Sequence, residues 1–176
     1  MSPDHTLDPE ALRERHPALS PGVALAGVEA CAVCLVRRHE PPTTTSIEDA
    51  GDTAELRLMR ELPSESVRRA WREQAQATEK GAEILAILCV ETRRGLVAVD
   101  RALRGSRVDY YLGEPGGGLE GAAVLEVGGI DDGNIKRLLE RKRLQASRNP
   151  DRLPALAAAV RFADPRVMIA DVEKHS

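Results

Sequence analysis

The sequence predicts a mixed α+β domain, and three observations predict it. From Ser64 onward the hydropathy pattern runs helix, three strands, helix, strand. The stretch before it reads as two helices followed by a β-hairpin. The length, 176 residues with a formal net charge of −3, suits one ordinary domain able to bury a real core. Aromatic residues are scarce: Trp71, Tyr110, Tyr111 and Phe162 are the whole set, so Leu, Val, Ile and Ala must fill the interior. Few aromatic faces also mean few platforms for stacking unpaired bases. The acidic balance argues against a general nucleic-acid sponge. No apolar run approaches the roughly eighteen residues of a membrane span, and no signal-peptide pattern opens the chain. The three cysteines have no disulfide-scaffold spacing. These features predict a soluble cytoplasmic protein with reduced thiols and no membrane partner.

The elements follow in order. Asp8-Pro9 is a cap with proline at the first helical position, and it predicts a short helix through Arg15. Ser20-Pro21 repeats the signal, after which Ala24, Val28, Cys31 and Leu35 form a helical stripe. Arg37, Arg38 and His39 suit the C-terminal end of that helix dipole, and Pro41-Pro42 stops it. Residues 43–48 and 54–60 read as strands around a turn at Gly51-Asp52, with Leu56 and Leu58 alternating with Arg57 to leave one wet face. Pro63-Ser64 opens a helical region to about Glu91, either one helix or two meeting near Gly81. Its apolar second half, residues 82–90, should be the central buried helix. Strands are expected at 96–103, 107–112 and 121–130, then a charged helix capped by Asp131-Asp132-Gly133 and running through about Ser147. Residues 156–162 read as a further strand, and 167–172 are apolar but ambiguous. Residues 1–62 are thus an N-terminal helical and hairpin extension of the same domain, and 63–176 are its core.

The segment from Arg107 to Gly129 carries the chemistry. Asp109 and Glu126 sit in apolar, β-forming runs joined by Glu-Pro-Gly-Gly-Gly, so a hairpin can bring them together. Two neighbouring acids repel unless a cation or a shared proton lies between them, which marks the pair as a candidate site. Glu79 and Glu83 lie one helical turn apart and can point the same way.

The order of elements and the placed acids resemble the PD-(D/E)XK nuclease superfamily, which has the restriction-endonuclease-like, three-layer α/β fold. Gly105-Ser106-Arg107-Val108-Asp109-Tyr110-Tyr111-Leu112-Gly113 looks like an uncharacterised bacterial branch of it. So do Leu125-Glu126-Val127-Gly128-Gly129-Ile130 and the later Arg141-Lys142-Arg143-Leu144-Gln145. The resemblance covers roughly residues 64–172. It implies an acid from the first helix, Glu79 or Glu83, an aspartate from the second strand, Asp109, and a glutamate from the third, Glu126. It further implies Mg²⁺ or Mn²⁺ held by Asp109, Glu126 and the Val127 carbonyl, since these are hard oxygen ligands. The superfamily lysine falls at Gly128 here. Lys142, one helix later, is expected to take its role, with Gln145 positioning water or phosphate and Arg141 a weaker substitute.

The helix around 134–148 is a local basic patch. Lys136, Arg137, Arg141, Arg143 and Arg148 suit a phosphate backbone, while Ile135, Leu138, Leu139 and Leu144 would pack its other face on the sheet. Cys31 and Cys34 are spaced as Cys-x-x-Cys but lie among Ala, Val and Leu, and read as core cysteines. Gly116–Gly118 read as a hairpin connection, since no Gly-Lys-Ser/Thr follows them. Trp71 reads as a core or partner anchor.

Three functions remain open. One is a metal-dependent nuclease or nuclease subunit, in bacterial antiviral defence or DNA processing as the superfamily implies. Another keeps the fold without catalysis, as an interaction or DNA-binding subunit of a larger assembly or homo-oligomer. The third is an unrelated α+β protein-binding module.

Overall fold

Local signals set most element boundaries. In the computed structural model, which describes residues 4–173, β1 (Asp4–Thr6) precedes α1 (Pro9–Arg15), and Asp8 caps α1 by accepting the Glu10 amide at 3.0 Å. Ser20 caps α2 (Pro21–Val36) from the Val23 amide at 3.3 Å, leaving Pro21 where a missing N–H is harmless. The hairpin follows as β2 (Thr43–Asp49) and β3 (Asp52–Met59), turning through left-handed Ala50 and Gly51. Leu56 and Leu58 are buried while Arg57 is exposed, which gives the expected wet face.

The helical region that begins at Ser64 breaks earlier than expected. It forms α3 (Glu65–Ala70) and α4 (Gln74–Arg94), separated at Trp71 and not at Gly81. The Glu73 carboxylate accepts the Ala75 and Gln76 amides at 3.1 and 2.8 Å, satisfying the orphan donors that start a new helix. Gly81 stays inside α4 because α2 crosses there: an added Cβ would lie 2.9 Å from the Cys31 Cα. Residues 82–90 are all buried, as expected of a central helix.

The remaining elements are β4 (Val97–Arg101), β5 (Tyr110–Gly113), β6 (Ala123–Ile130), α5 (Ile135–Ser147), β7 (Ala155–Arg161) and β8 (Arg166–Val172). The charged helix is capped by Asn134, whose side chain accepts the Arg137 amide at 3.0 Å, and not by the Asp131-Asp132-Gly133 run. Asp131 is instead drawn to Arg38, 2.7 Å away. Leu144, assigned to the packed face, is exposed.

All eight strands join one sheet in the order β1-β3-β2-β8-β7-β6-β5-β4. The short β1, unannounced by any alternation in three residues, pairs parallel with β3. The ambiguous segment 167–172 becomes strand because β8 is bonded on both sides, antiparallel to β7 and parallel to β2. That pairing makes the N-terminal hairpin continuous with the rest. Leu125 and Val127 of β6 join the core cluster beneath α4, while Leu138 and Leu139 of α5 pack with Ala157 and Ala159 of β7 on the opposite face. The result is a layered α+β architecture with helices on both faces of a mixed sheet. Among the described residues no helix is long and apolar enough to cross a membrane.

Candidate active site

The pairing of β5 with β6 decides where the acids go. Tyr110 stands opposite Leu125, and β5 starts there rather than at residue 107, so Asp109 is a bend residue just before the strand. Its amide donates to the Leu125 carbonyl at 2.8 Å, which holds it beside Glu126. Side chains alternate across a strand, so Glu126 lies on the face that carries α5, between Leu125 and Val127 on the α4 face. Glu126 is 2% exposed. It is therefore no solvent-facing edge residue. Asp109 Oδ2 accepts the Val127 amide at 2.8 Å and does not pair with Arg107. The N–H and C=O of a strand residue point the same way, so the Val127 carbonyl looks toward the same edge.

Burial raises the Glu126 carboxyl to about 7, the Asp109 carboxyl within hydrogen-bonding reach adds to the rise, and Lys142 opposes both. The Lys142 ammonium donates to Glu126 Oε1 at 2.6 Å. The stem of that lysine crosses Gly128. A Cβ there would come within 2.7 Å of Lys142 Cε and 2.9 Å of its Cγ. The space a side chain at position 128 would need is thus filled by a lysine from α5. Gly129 admits a backbone instead: a Cβ there would lie 2.8 Å from the Thr78 carbonyl oxygen of α4.

These groups line a groove of about 950 Å³ between the start of α4, the end of β6 and the inner face of α5. Glu79, Glu83, Asp109, Glu126, Lys142 and Gln145 all border it. The two helical acids differ. Glu83 is buried and held by Tyr110, whose hydroxyl donates at 2.6 Å, and by Arg101 at 3.1 Å. Burial alone would raise the Glu83 carboxyl, but the bonds from Arg101 and Tyr110 outweigh it and hold it below the usual range. Glu79 is exposed and, among the described residues, has neither hydrogen bond nor ion pair. Its carboxylate is the one available to the groove.

The basic helix is divided. Arg141, Lys142 and Gln145 face the groove, whereas Lys136, Arg137, Arg143 and Arg148 do not line it. Arg143 pairs with Glu140 at 2.9 Å and Arg148 is the C-cap of α5. Sequence reasoning passed over the arginines of the β4–β5 connection. Arg101, Arg104 and Arg107 line a second groove of about 610 Å³ that shares Glu79, Asp109, Glu126 and Gln145 with the first. The signal was present in the spacing of three arginines within seven residues beside Asp109.

Among the described residues no group of three or more His, Cys, Asp or Glu side chains is arranged to hold a metal. The Asp109–Glu126 pair still fits one hard cation, because Mg²⁺ commonly takes one or two carboxylates and completes its shell with water and phosphate. The buried proximity of two acids is the condition such an ion relieves. Cys31, Cys34 and Cys89 are buried and free, and burial raises their thiols, Cys34 to about 11. Trp71 packs on the main core and donates to Glu29 at 3.2 Å. The Gly116–Gly118 turn connects β5 to β6.

Compared with protein-family models, curated proteins and solved structures, the chain matches none of them.

Proposed function

We propose that this chain is a metal-dependent phosphodiesterase acting on nucleic acid, built on a restriction-endonuclease-like core. The observation that carries the reading is Lys142. Its ammonium sits 2.6 Å from Glu126 and its stem lies over Gly128, the position at which the superfamily roots its lysine. The element order supports it as well: α4, β4 to β6, α5 and β7 follow the helix, three strands, helix, strand sequence of that core.

In this reading Asp109, Glu126 and the Val127 carbonyl hold Mg²⁺ or Mn²⁺. When bound, such an ion supplies a Lewis acid for the phosphoryl oxygen and a more acidic water. Asp109 is oriented for this by the Val127 amide, which fixes one of its oxygens and leaves the other toward the groove. Lys142 keeps a positive charge beside the reacting phosphate, where it screens developing charge and orients the attacking water. The Gln145 amide borders the same space and can hydrogen-bond water or phosphate. Glu79 faces the acids from α4 and can carry a second ion or its water.

The test is cleavage of plasmid, linear and single-stranded DNA, and of RNA, with Mg²⁺ or Mn²⁺. Wild type should cut, while Asp109→Asn and Glu126→Ala should fall by about a thousandfold or more with the fold intact by circular dichroism. Equal rates in Asp109→Asn and wild type would remove the acid pair from the chemistry. A second reading, a non-catalytic nuclease-fold subunit, draws on the lack of a three-carboxylate cluster among the described residues. Folded wild type that binds nucleic acid and never cuts it would select that reading.

A further inference from the structure

The connection between β4 and β5 has features that neither packing nor the acid site uses. Arg104 and Arg107 are exposed and, among the described residues, have no hydrogen bond or ion pair. Arg101, by contrast, is committed to Glu83. Between the arginines stands Leu103, which is 83% exposed, the most exposed large apolar side chain among the described residues. The exposed leucine would gain from being covered, and the two hydrated guanidinium groups beside it are free to take an anion.

The turn is also held still. The Ser106 amide donates to the Leu103 carbonyl at 3.1 Å, and the Ser106 hydroxyl donates to the Val108 carbonyl at 3.1 Å. From beyond α5, the buried Asn149 donates through its side chain to the Ser106 carbonyl, while its own Oδ1 accepts the Asp151 amide at 2.9 Å. Arg107 adopts φ +71°, a left-handed backbone that a non-glycine residue takes only when its surroundings impose it. A bolted, strained turn that aims free cations into a groove shared with two acids is built for a ligand.

We propose that residues 101–107 form a fixed grip for a nucleic-acid strand crossing the acid site. Arg104 and Arg107 take backbone phosphates beside the reacting one, and Leu103 rests as an apolar wedge against a base step. The proposal deepens the phosphodiesterase reading and rests on it. Arg104 and Arg107 line one groove with Asp109 and Glu126, and Arg141 and Lys142 line the other with the same two acids. A repeating polyanion that runs through both grooves meets positive charge in each. An acidic peptide, whose charges have no fixed repeat, gains less from it.

Binding of short labelled duplex and single-stranded oligonucleotides, read by fluorescence anisotropy in EDTA, tests the grip without chemistry. Arg104→Ala/Arg107→Ala should weaken binding about tenfold or more and reduce the slope of log affinity against log salt by about two. Leu103→Ala should weaken it a few-fold, about threefold, and leave the slope unchanged. Arg68→Ala/Arg69→Ala, which removes the same charge from α3, should stay within about twofold of wild type. Thermal melts should coincide, because the replaced turn side chains are exposed. Undiminished binding by the turn variant, an equal loss in the α3 control, or displacement by polyglutamate would each overturn the grip. The two readings fail separately. Turn-dependent binding without cleavage in Mg²⁺ or Mn²⁺ sustains the grip and sinks the catalysis. Cleavage with binding undiminished in the turn variant sinks the grip alone.

Discussion

At the residue scale, Lys142 reaches Glu126 from α5 by passing over a glycine of β6. A lysine rooted on the strand and a lysine arriving from the helix compete for one volume. Gly128→Lys alone should therefore clash and disturb the acid pair, and Lys142→Gly alone should lower cleavage by about a hundredfold. The double variant, with a lysine placed on the strand and the helix lysine's path cleared, should recover at least about tenfold over Lys142→Gly. Rates of strand cleavage for the four proteins check this, and a double variant no better than the worse single one refutes the competition for that volume. Of this site, the nearness of the two acids was legible beforehand, because two β-forming runs joined by a glycine-rich turn come to lie side by side. The lysine's route was not. Nothing in the local sequence says that Gly128 lies beneath Lys142.

At the scale of elements, the crossing of α2 over α4 explains why glycines sit inside two otherwise well-formed helices. A Cβ at Gly81 would meet Cys31 backbone atoms at 2.9 and 3.0 Å, and one at Gly27 would strike the Ile84 side chain. Gly81→Ala gains about 1 kcal/mol of helix propensity. Overpacking against backbone costs about 1–3 kcal/mol, and backbone yields less readily than the end of a side chain. The clash should win, giving a net loss of up to about 2 kcal/mol in urea unfolding; a gain in stability would show that the helices can part freely. The same glycine misled the element assignment, since glycine within a helical pattern reads as a break. The actual break at Trp71 depends on Glu73 capturing two amides, a signal weaker than a Ser or Asp cap.

At the scale of the molecule, Glu91 ties distant parts of the chain together. Its carboxylate on α4 accepts from Arg15 at 2.8 Å and pairs with the buried ring of His16 at 3.0 Å. His16 Nδ1 in turn accepts the Ala98 amide of β4 at 3.1 Å, which puts the ring proton on Nε2. Burial by itself would raise the Glu91 carboxyl, but the bonds from His16 and Arg15 prevail and hold it at about 2, against the ordinary 4.5. A carboxyl depressed by folding stabilises the fold above its unfolded value and loses that contribution as pH falls toward the folded one. Stability should thus decline between about pH 5 and pH 2, by at most about 3 kcal/mol from this group. Glu91→Gln should be about 2 kcal/mol less stable at pH 7 and show a flatter acid limb in urea titrations. A variant with an unchanged acid limb would assign the decline to other carboxylates.

The sequence by itself determined the starts of α1, α2 and α3, the hairpins, the buried half of α4, the core cysteines and the nearness of the two acids. Each of these rests on neighbours within a few residues: a capping side chain, a proline, a turn glycine or a short period. Tertiary structure decided the rest. The segment 167–172 is a strand because β7 and β2 both bond to it, and β1 exists because β3 offers an edge. Glu83 and Glu79 look alike in sequence, yet contact with Tyr110 and Arg101 turns one into structure and leaves the other to the groove. The Arg107 backbone and the Asn149 bolt likewise follow from long-range contacts, which no local pattern encodes. Short-range preference selects most elements, but the packing of elements far apart in the chain selects the rest and decides which side chains meet.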